Sequence, residues 1–209
     1  DEDCIKDILY HYKEVIFGGH KQAFEHYFKC LKMILMGKKC GVGLGLSSAQ
    51  GTGKNLGFEY FAKKILGKKY YGYYDNLEDL TGRFTALSSC KIFTICDELG
   101  TWSGDTKTSN KLKSMITNPD AKKELKGKDA LIIDDYNNYV FFSNFENFLK
   151  VEGKGDRRYM IAEVSEHKKG NKDYFDNLCI QMGFDLKNRN LTEDEKHEAA
   201  LRAKHFHHY

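Results

Sequence analysis

Ser48-Ala49-Gln50-Gly51-Thr52-Gly53-Lys54-Asn55 is the segment that most restricts what this chain can fold into. It is a glycine-rich loop ending in Gly-Lys. Val42-Gly43-Leu44-Gly45-Leu46 before it reads as a short buried strand, and after it Phe58, Phe61, Ala62, Ile65 and Leu66 recur at helical spacing. Strand, glycine loop and helix make the context that a phosphate-binding loop needs. Gly51 and Gly53 let the backbone turn so that its N–H groups converge on phosphate oxygens. The first helical turn adds its positive end, and Lys54 supplies a point charge for β- and γ-phosphates. Gln50, Gly51, Thr52, Gly53, Lys54 and Asn55 are therefore the expected nucleotide contacts. Two positions depart from the pattern G-x-x-x-x-G-K-[ST]: Ser48 stands at the first glycine, and Asn55 replaces the hydroxyl residue that ligates Mg²⁺. An amide oxygen can coordinate a hard cation, so Asn55 stays a candidate metal ligand. A dinucleotide fingerprint fits worse, because Gly51, Gly53 and Gly57 are spaced G-x-G-x-x-x-G.

The 209 residues suffice for one large domain, or a core with a small accessory piece. A hydrophobic share of 41% beside a charged share of 30% is that of a soluble globular protein. The net charge of +3 neither demands nor excludes nucleic acid, since binding depends on where the lysines lie. Leu31 to Met36 is broken by Lys32 and closed by Gly37-Lys38-Lys39, so no run spans a bilayer and no membrane partner is expected. Cys4, Cys30, Cys40, Cys90, Cys96 and Cys179 form no C-x-x-C pair, which predicts reduced thiols in an intracellular protein. His205, His207 and His208 lack partners at metal-ligand spacing and read as a solvated tail. No signal peptide is expected, and an opening Asp1 in place of methionine is what a fragment or processed piece would show.

Residues 1–40 read as an N-terminal helical segment: Ile5, Ile8, Leu9, Tyr12 and Ile16 make one amphipathic helix and Phe24, Phe28, Leu31 and Leu35 a second, separated by Gly18-Gly19. Residues 41–170 read as the nucleotide core. Within it, Tyr70 to Tyr74 is a half-buried strand, since tyrosine favours strands, ahead of a base-stacking platform. Leu77, Leu80, Phe84 and Leu87 follow helical spacing, and Lys91 to Cys96 is a buried strand ending in Asp97-Glu98. A helix over Lys111 to Thr117 stops at Asn118-Pro119, and two strands flank the turn Lys126-Gly127-Lys128-Asp129. Asn138 to Asn144 and Arg158 to Ala162 are further strands. Residues 171–209 read as a C-terminal helical segment, with Thr192 and Glu195 forming a capping box. Strands alternating with helices predict an α/β fold on a central parallel sheet.

In a parallel sheet the strand ends line the ligand crevice, so Asp97 and Glu98 are expected to face the glycine loop. Phosphoryl chemistry needs one acid for Mg²⁺ and one to activate or orient water; Asp97 fits the first role and Glu98 the second. Asn144 closes a later strand, where an asparagine can sense the γ-phosphate, although alone it reads as a polar turn residue. Asp156-Arg157-Arg158 follows a glycine-containing loop, where an arginine can stabilise charge on a transferred phosphoryl group; alone it reads as a solvated charge cluster.

The ordered set Gly51-Thr52-Gly53-Lys54, Asp97-Glu98, Ser143-Asn144 and Asp156-Arg157-Arg158 resembles the superfamily 3 helicases, in particular the helicase part of viral and phage primase-helicases of the poxvirus type. Gly82-Arg83-Phe84, Lys111 to Thr117 and Tyr136-Asn137-Asn138-Tyr139 add local likenesses, and the resemblance covers roughly residues 42–166. It implies an AAA+-like P-loop ATPase core that works as a hexameric ring around single-stranded DNA with ATP and Mg²⁺, a primase domain or protein being a further partner. In that reading Lys54 grips the phosphates, Asp97 holds magnesium, Glu98 is the base, Asn144 the sensor, and Arg157 or Arg158 a finger offered to the neighbouring subunit. A hairpin before the sensor strand projects into the channel in that family. Here the matching segment carries Lys122, Lys123, Lys126 and Lys128, of which Lys126 and Lys128 at the turn are the DNA-contact candidates, against a solvated hairpin tip. For a viral protein the resemblance places it in the host cytoplasm or nucleus. A nucleoside or small-molecule kinase, and an ATP-binding scaffold of weak turnover, are the rival functions.

Overall fold

The computed structural model describes residues 2–82, 91–123, 131–153 and 155–209. The apolar stripe Ile5, Ile8, Tyr12, Val15 and Ile16 winds as a 3₁₀ turn (Glu2–Ile5), helix α1 (Lys6–Tyr10) and a π-helical stretch (His11–Ile16), and all five side chains are buried. Gly18 and Gly19 turn the chain at positive φ into α2 (Lys21–Leu35). Strand β1 (Gly43–Ser47) then leads through the glycine loop to α3 (Lys54–Tyr60), which continues as a π-helical stretch (Phe61–Leu66). β2 (Tyr71–Tyr74), α4 (Leu77–Thr81), β3 (Phe93–Leu99) and α5 (Thr106–Thr117) follow. β4 (Asp120–Lys123) and β5 (Leu131–Asp134) form an antiparallel hairpin. β6 (Asn138–Ser143), β7 (Tyr159–Glu163), α6 (Lys172–Met182) and α7 (Glu193–His208) complete the chain.

Five strands pair in the order β2-β3-β6-β1-β7, and every pairing is parallel. Helices cover both faces, as a parallel sheet requires. The period of two sorts each strand between two cores. Leu44 and Leu46 of β1, with Val140 and Phe142 of β6, join the cluster that holds α1, α2, α3 and Phe206 of α7. Tyr139 and Phe141 face the opposite cluster with Leu112, Ile116, Phe148 and Leu149. On that second face β1 carries Gly43 and Gly45 ahead of Ser47. A methyl group on Gly45 would lie 2.9 Å from Phe148 and 3.0 Å from Leu149, so glycine is what lets these side chains close over the central strand.

Several expectations change. α5 begins at Thr106 rather than Lys111, because Asp105 accepts from the Thr108 N–H at 2.7 Å and caps it. β3 runs through Asp97 and Glu98 to Leu99 rather than ending at them. The terminal histidines are no tail: His205, His207 and His208 form the last turn of α7, whose start carries the expected capping box. α6 lies in the expected C-terminal helical segment as a helix separate from α7; Asn171 caps it and Gly183 ends it with φ of 75°. Phe84 and Leu87, in the predicted helix after Leu80, lie outside the described residues, as does Cys90; Cys4, Cys30, Cys40, Cys96 and Cys179 are not in disulfides. Among the described residues no helix is long and apolar enough to cross a membrane.

The tight seat of Gly45 gives a direct check on this packing. Gly45→Ala should destabilise the fold by about 1–3 kcal/mol, the usual cost of overpacking a filled core. Urea unfolding followed by circular dichroism measures it, and an unchanged midpoint would show that Phe148 and Leu149 have room to retreat.

Candidate functional site

The loop after β1 is held by its own hydroxyls. Ser48 Oγ and Thr52 Oγ1 lie 2.7 Å apart, and Thr52 Oγ1 also donates to the Ala49 carbonyl at 3.3 Å. The residue standing at the pattern's first glycine is thus built into the loop. Gly51 and Gly53 adopt φ of 84° and 82°, a region that residues with a Cβ rarely enter. α3 starts at Lys54, so its first N–H groups, which have no intrahelical partner, open toward the loop.

These elements border a cavity of about 500 Å³. Gln50, Gly51, Thr52, Gly53, Lys54 and Asn55 line one side, Asp97, Glu98, Ser143 and Asn144 the other. Lys54 Nζ donates to Asn144 Oδ1 at 2.7 Å. Burial draws the Lys54 ammonium below its usual range, opposed by the Asp97 and Glu98 carboxylates nearby. Asn55 Nδ2 donates to Asp97 Oδ2, so the two candidate metal ligands touch. Asp97 is buried and its other oxygen accepts from the Glu98 N–H at 2.8 Å. Consecutive residues of a regular strand point to opposite faces. Here the β3–β6 register slips between Cys96 and Leu99, and Glu98 adopts φ of 56°. That bulge brings Asp97 and Glu98 into one cavity. A non-glycine residue in this region stores about 1–3 kcal/mol of strain.

Leu56 and Glu59 of α3 also line the cavity, and further residues that line or support it were not read from the sequence. Tyr73 OH donates to Asp97 Oδ2 at 3.0 Å, and burial, then the Asp97 charge, pushes its phenol up. Phe175 and Cys179 of α6 line the cavity. His11 lies behind the loop: its Nε2 donates to the Gly53 carbonyl at 3.1 Å, which leaves Nδ1 to accept from Tyr174 OH at 3.0 Å. The apolar stripe around His11 carried no sign of this role. The signal for Phe175 and Cys179 was their place in the helical segment, between the cap Asn171 and Gly183.

Arg157 and Arg158 are not in this cavity. The Arg158 carbonyl accepts from the Gly43 N–H, at the start of β1, whereas the glycine loop follows its end. The strand between spans about 16 Å, at roughly 3.3 Å per residue. Asp156 accepts from the Arg158 N–H at 3.2 Å and Nη1 at 3.3 Å, and the nearly buried Lys113 pairs with Glu152 at 2.6 Å and approaches Asp156 at 3.9 Å. Arg157 is exposed and makes no ion pair among the described residues. Lys126 and Lys128 of the hairpin turn, Lys154, and Arg83 and Phe84 of the local likeness all lie outside the described residues.

Comparison with known proteins gives a family and a fold. A family profile described as "Family of unknown function (DUF5906)" matches residues 46–158, more than half of the chain and all of the segment from the glycine loop to the arginines. The chain belongs to the DUF5906 family. No curated protein matches it. Among solved structures, this DUF5906 chain is similar to the A form apo structure of the NrS-1 C-terminal region, at a TM-score of 0.69 and 18% identity, covering 99% of this chain and 44% of that one. A second apo structure of the NrS-1 C-terminal region matches at 0.67 and 18%, covering 96% of this chain and 51% of that one. The chain thus spans about half or less of these structures, and at such identity the likeness establishes a shared fold.

His11 makes a testable contribution to stability. Burial lowers its pKa to about 4 from an unfolded value of 6.5; the Gly53 carbonyl opposes this shift and His167 adds to it. Between these values the unfolded chain binds the proton and the folded chain does not. The stabilisation is therefore complete above pH 6.5 and is lost as pH falls toward 4, by about 3 kcal/mol in total. Unfolding free energies measured across this window should fall with pH in the native chain and fall less steeply in His11→Gln. Equal slopes would mean that His11 titrates normally.

Proposed function

We propose that this chain is the ATP-hydrolysing core of a replicative DNA helicase, a P-loop NTPase of the AAA+-like class that works as a ring on single-stranded DNA. The observation that carries this reading is the Lys54–Asn144 hydrogen bond in a cavity shared with Asp97 and Glu98. A lysine at the start of a helix, an asparagine on a strand end and two adjacent acids are the parts that phosphoryl transfer to water needs. With Mg²⁺ bound, Asp97 and the Asn55 amide oxygen would hold the ion, which would offset charge on the β- and γ-phosphates. The donor set is of oxygen type, which suits a hard cation. Lys54 would neutralise the terminal phosphates, Glu98 would take a proton from the attacking water, and Asn144, freed from Lys54, would orient that water. The Asn55–Asp97 hydrogen bond favours a second reading, a nucleotide-binding scaffold of slow turnover, because magnesium must compete for Asp97.

The replication role rests on the ordered motif set. Single-stranded DNA would run along the β4–β5 hairpin, whose described part exposes Leu131 and Ile132. The distance of Arg157 and Arg158 from their own cavity is what a finger offered to the next subunit of a ring, such as a hexamer, would require. Of the two, Arg158 is engaged by Asp156 and Arg157 is the freer side chain.

Two experiments test this. Lys54→Ala should abolish ATP binding or hydrolysis in a folded protein, whereas Asn55→Thr should keep or raise magnesium-dependent turnover; a steady-state ATPase assay with and without single-stranded DNA reads both. Full turnover in a folded Lys54→Ala protein would overturn the assignment. The double variant Arg157→Ala, Arg158→Ala should lose about 10³–10⁵ in rate while still binding ATP. Mixed with an equally inactive Glu98→Gln protein, under conditions where mass measurement shows subunit exchange, it should regain part of the activity. Exchange without recovery would put the arginines to work within their own chain.

A further inference from the structure

Among the described residues Lys113 of α5 is the one buried lysine, and the chemistry above gives it no part. An ammonium taken out of water is costly unless it is paired, so its partners show what its burial serves. Nζ stands 2.6 Å from Glu152 Oε1 and 3.9 Å from Asp156 Oδ2. The Asp156 side chain is itself 1% exposed. Its Oδ1 accepts from the Arg158 N–H and Nη1, and its Oδ2 accepts from the Glu152 N–H at 3.4 Å. Burial opposes the Asp156 charge, but the Arg158 and Glu152 N–H groups hold the carboxyl below its usual range. Lys113 and Asp156 therefore pin both ends of the segment 152–158, and Arg157 stands exposed between two residues so fixed. The chain from Glu98 to α5 is also held along its course. The Leu99 carbonyl accepts from Ser143 Oγ, the Trp102 N–H donates to the Asn147 carbonyl at 2.7 Å, and Asp105 caps the helix. A helix rooted beside the acids of the phosphate cavity thus carries the ammonium that holds the arginine segment.

We propose that Lys113 is a positioning residue for the arginine finger: from α5 it holds the segment 152–158 so that Arg157 projects toward phosphates bound by the neighbouring subunit. The proposal rests on the ring reading and adds to it a residue on the finger's side of the shared site. Without the ammonium, Asp156 keeps the Arg158 guanidinium, 3.3 Å away, as its counter-ion, and Glu152 is released from α5. The backbone on either side of Arg157 then loses the anchor that joins it to the helix. A finger acts only from a defined place, since a shift of about 1 Å can cost about 10²-fold in rate.

Steady-state ATPase rates and calorimetric ATP affinities, measured on the full chain with Mg²⁺ and single-stranded DNA, test this. Lys113→Met should lower kcat by about 10²-fold and leave ATP affinity unchanged, and Lys113→Arg should restore part of the rate. Mixed under subunit exchange with the inactive Glu98→Gln protein, Lys113→Met should regain activity, because the intact finger of one meets the intact cavity of the other. Mixed with the Arg157→Ala, Arg158→Ala protein it should regain none. Loss of one partner of a buried pair can unfold a chain, so Glu152→Gln, at a half-exposed side chain, is the milder variant and should also lower kcat. If Lys113→Met does not fold, an unchanged kcat in Glu152→Gln overturns the proposal. Native kcat in a folded Lys113→Met protein, equal loss of rate and ATP affinity, or recovery on mixing with the arginine variant would each overturn it. Full activity of the arginine variant itself would overturn the finger reading and the proposal with it. An inactive arginine variant beside an active Lys113→Met protein would overturn the proposal alone.

Discussion

The parallel pairing of β1 between β6 and β7 is the constraint on which the rest of the molecule depends. Because all five strands run the same way, the residues that follow them collect at one edge of the sheet. The glycine loop leaves β1, the acids sit just before β3 ends at Leu99, and Asn144 leaves β6. β6 lies between the other two, so Asn144 is within a hydrogen bond of Lys54. Were β6 reversed, its asparagine would stand beside Arg158 at the opposite edge. The parallel arrangement also separates the two arginines from their own cavity by the length of a strand.

This edge is closed by the two ends of the chain. α1 and its π-helical extension bring His11 under the loop, and α6 brings Phe175 against Gly53, where there is no room for a Cβ. Gly53 is thus constrained twice, by a φ of 82° and by the ring packed on it. The terminal helices share one buried cluster with the sheet: Tyr12 packs on Phe58 and on Phe206, which lies near the C-terminus. Loop geometry and the docking of these helices are therefore coupled through apolar contact as well as through His11.

The strain at Glu98 marks where local preference yields to the site. A regular strand would send Asp97 and Glu98 to opposite faces, and the bulge turns both toward the cavity at a cost in backbone energy. The tight pairing of β3 with β6 on one side of the bulge and the Ser143 hydroxyl bound to the Leu99 carbonyl on the other hold it in place. Tyr73 and Asn55 then fix the direction of the Asp97 carboxylate.

Local order was legible in the residues. The alternation of Leu44, Leu46, Val140 and Phe142 with small or aromatic partners, the glycines of the loop, the helical stripe after it and the Thr192–Glu195 cap are short-range patterns, and each corresponds to an element of the structure. α6 and the early start of α5 were signalled only by single capping residues, which are weaker than a periodic stripe. What the chain encodes within a few residues, namely strand, loop, helix and left-handed glycine positions, follows from backbone sterics and the period of burial. Which strand ends meet, that His11 lies under Gly53 and that Tyr73 reaches Asp97 were decided by strand order and by the docking of the terminal helices. A continuous apolar run says that a strand is buried on both faces, but it does not say which strands lie beside it.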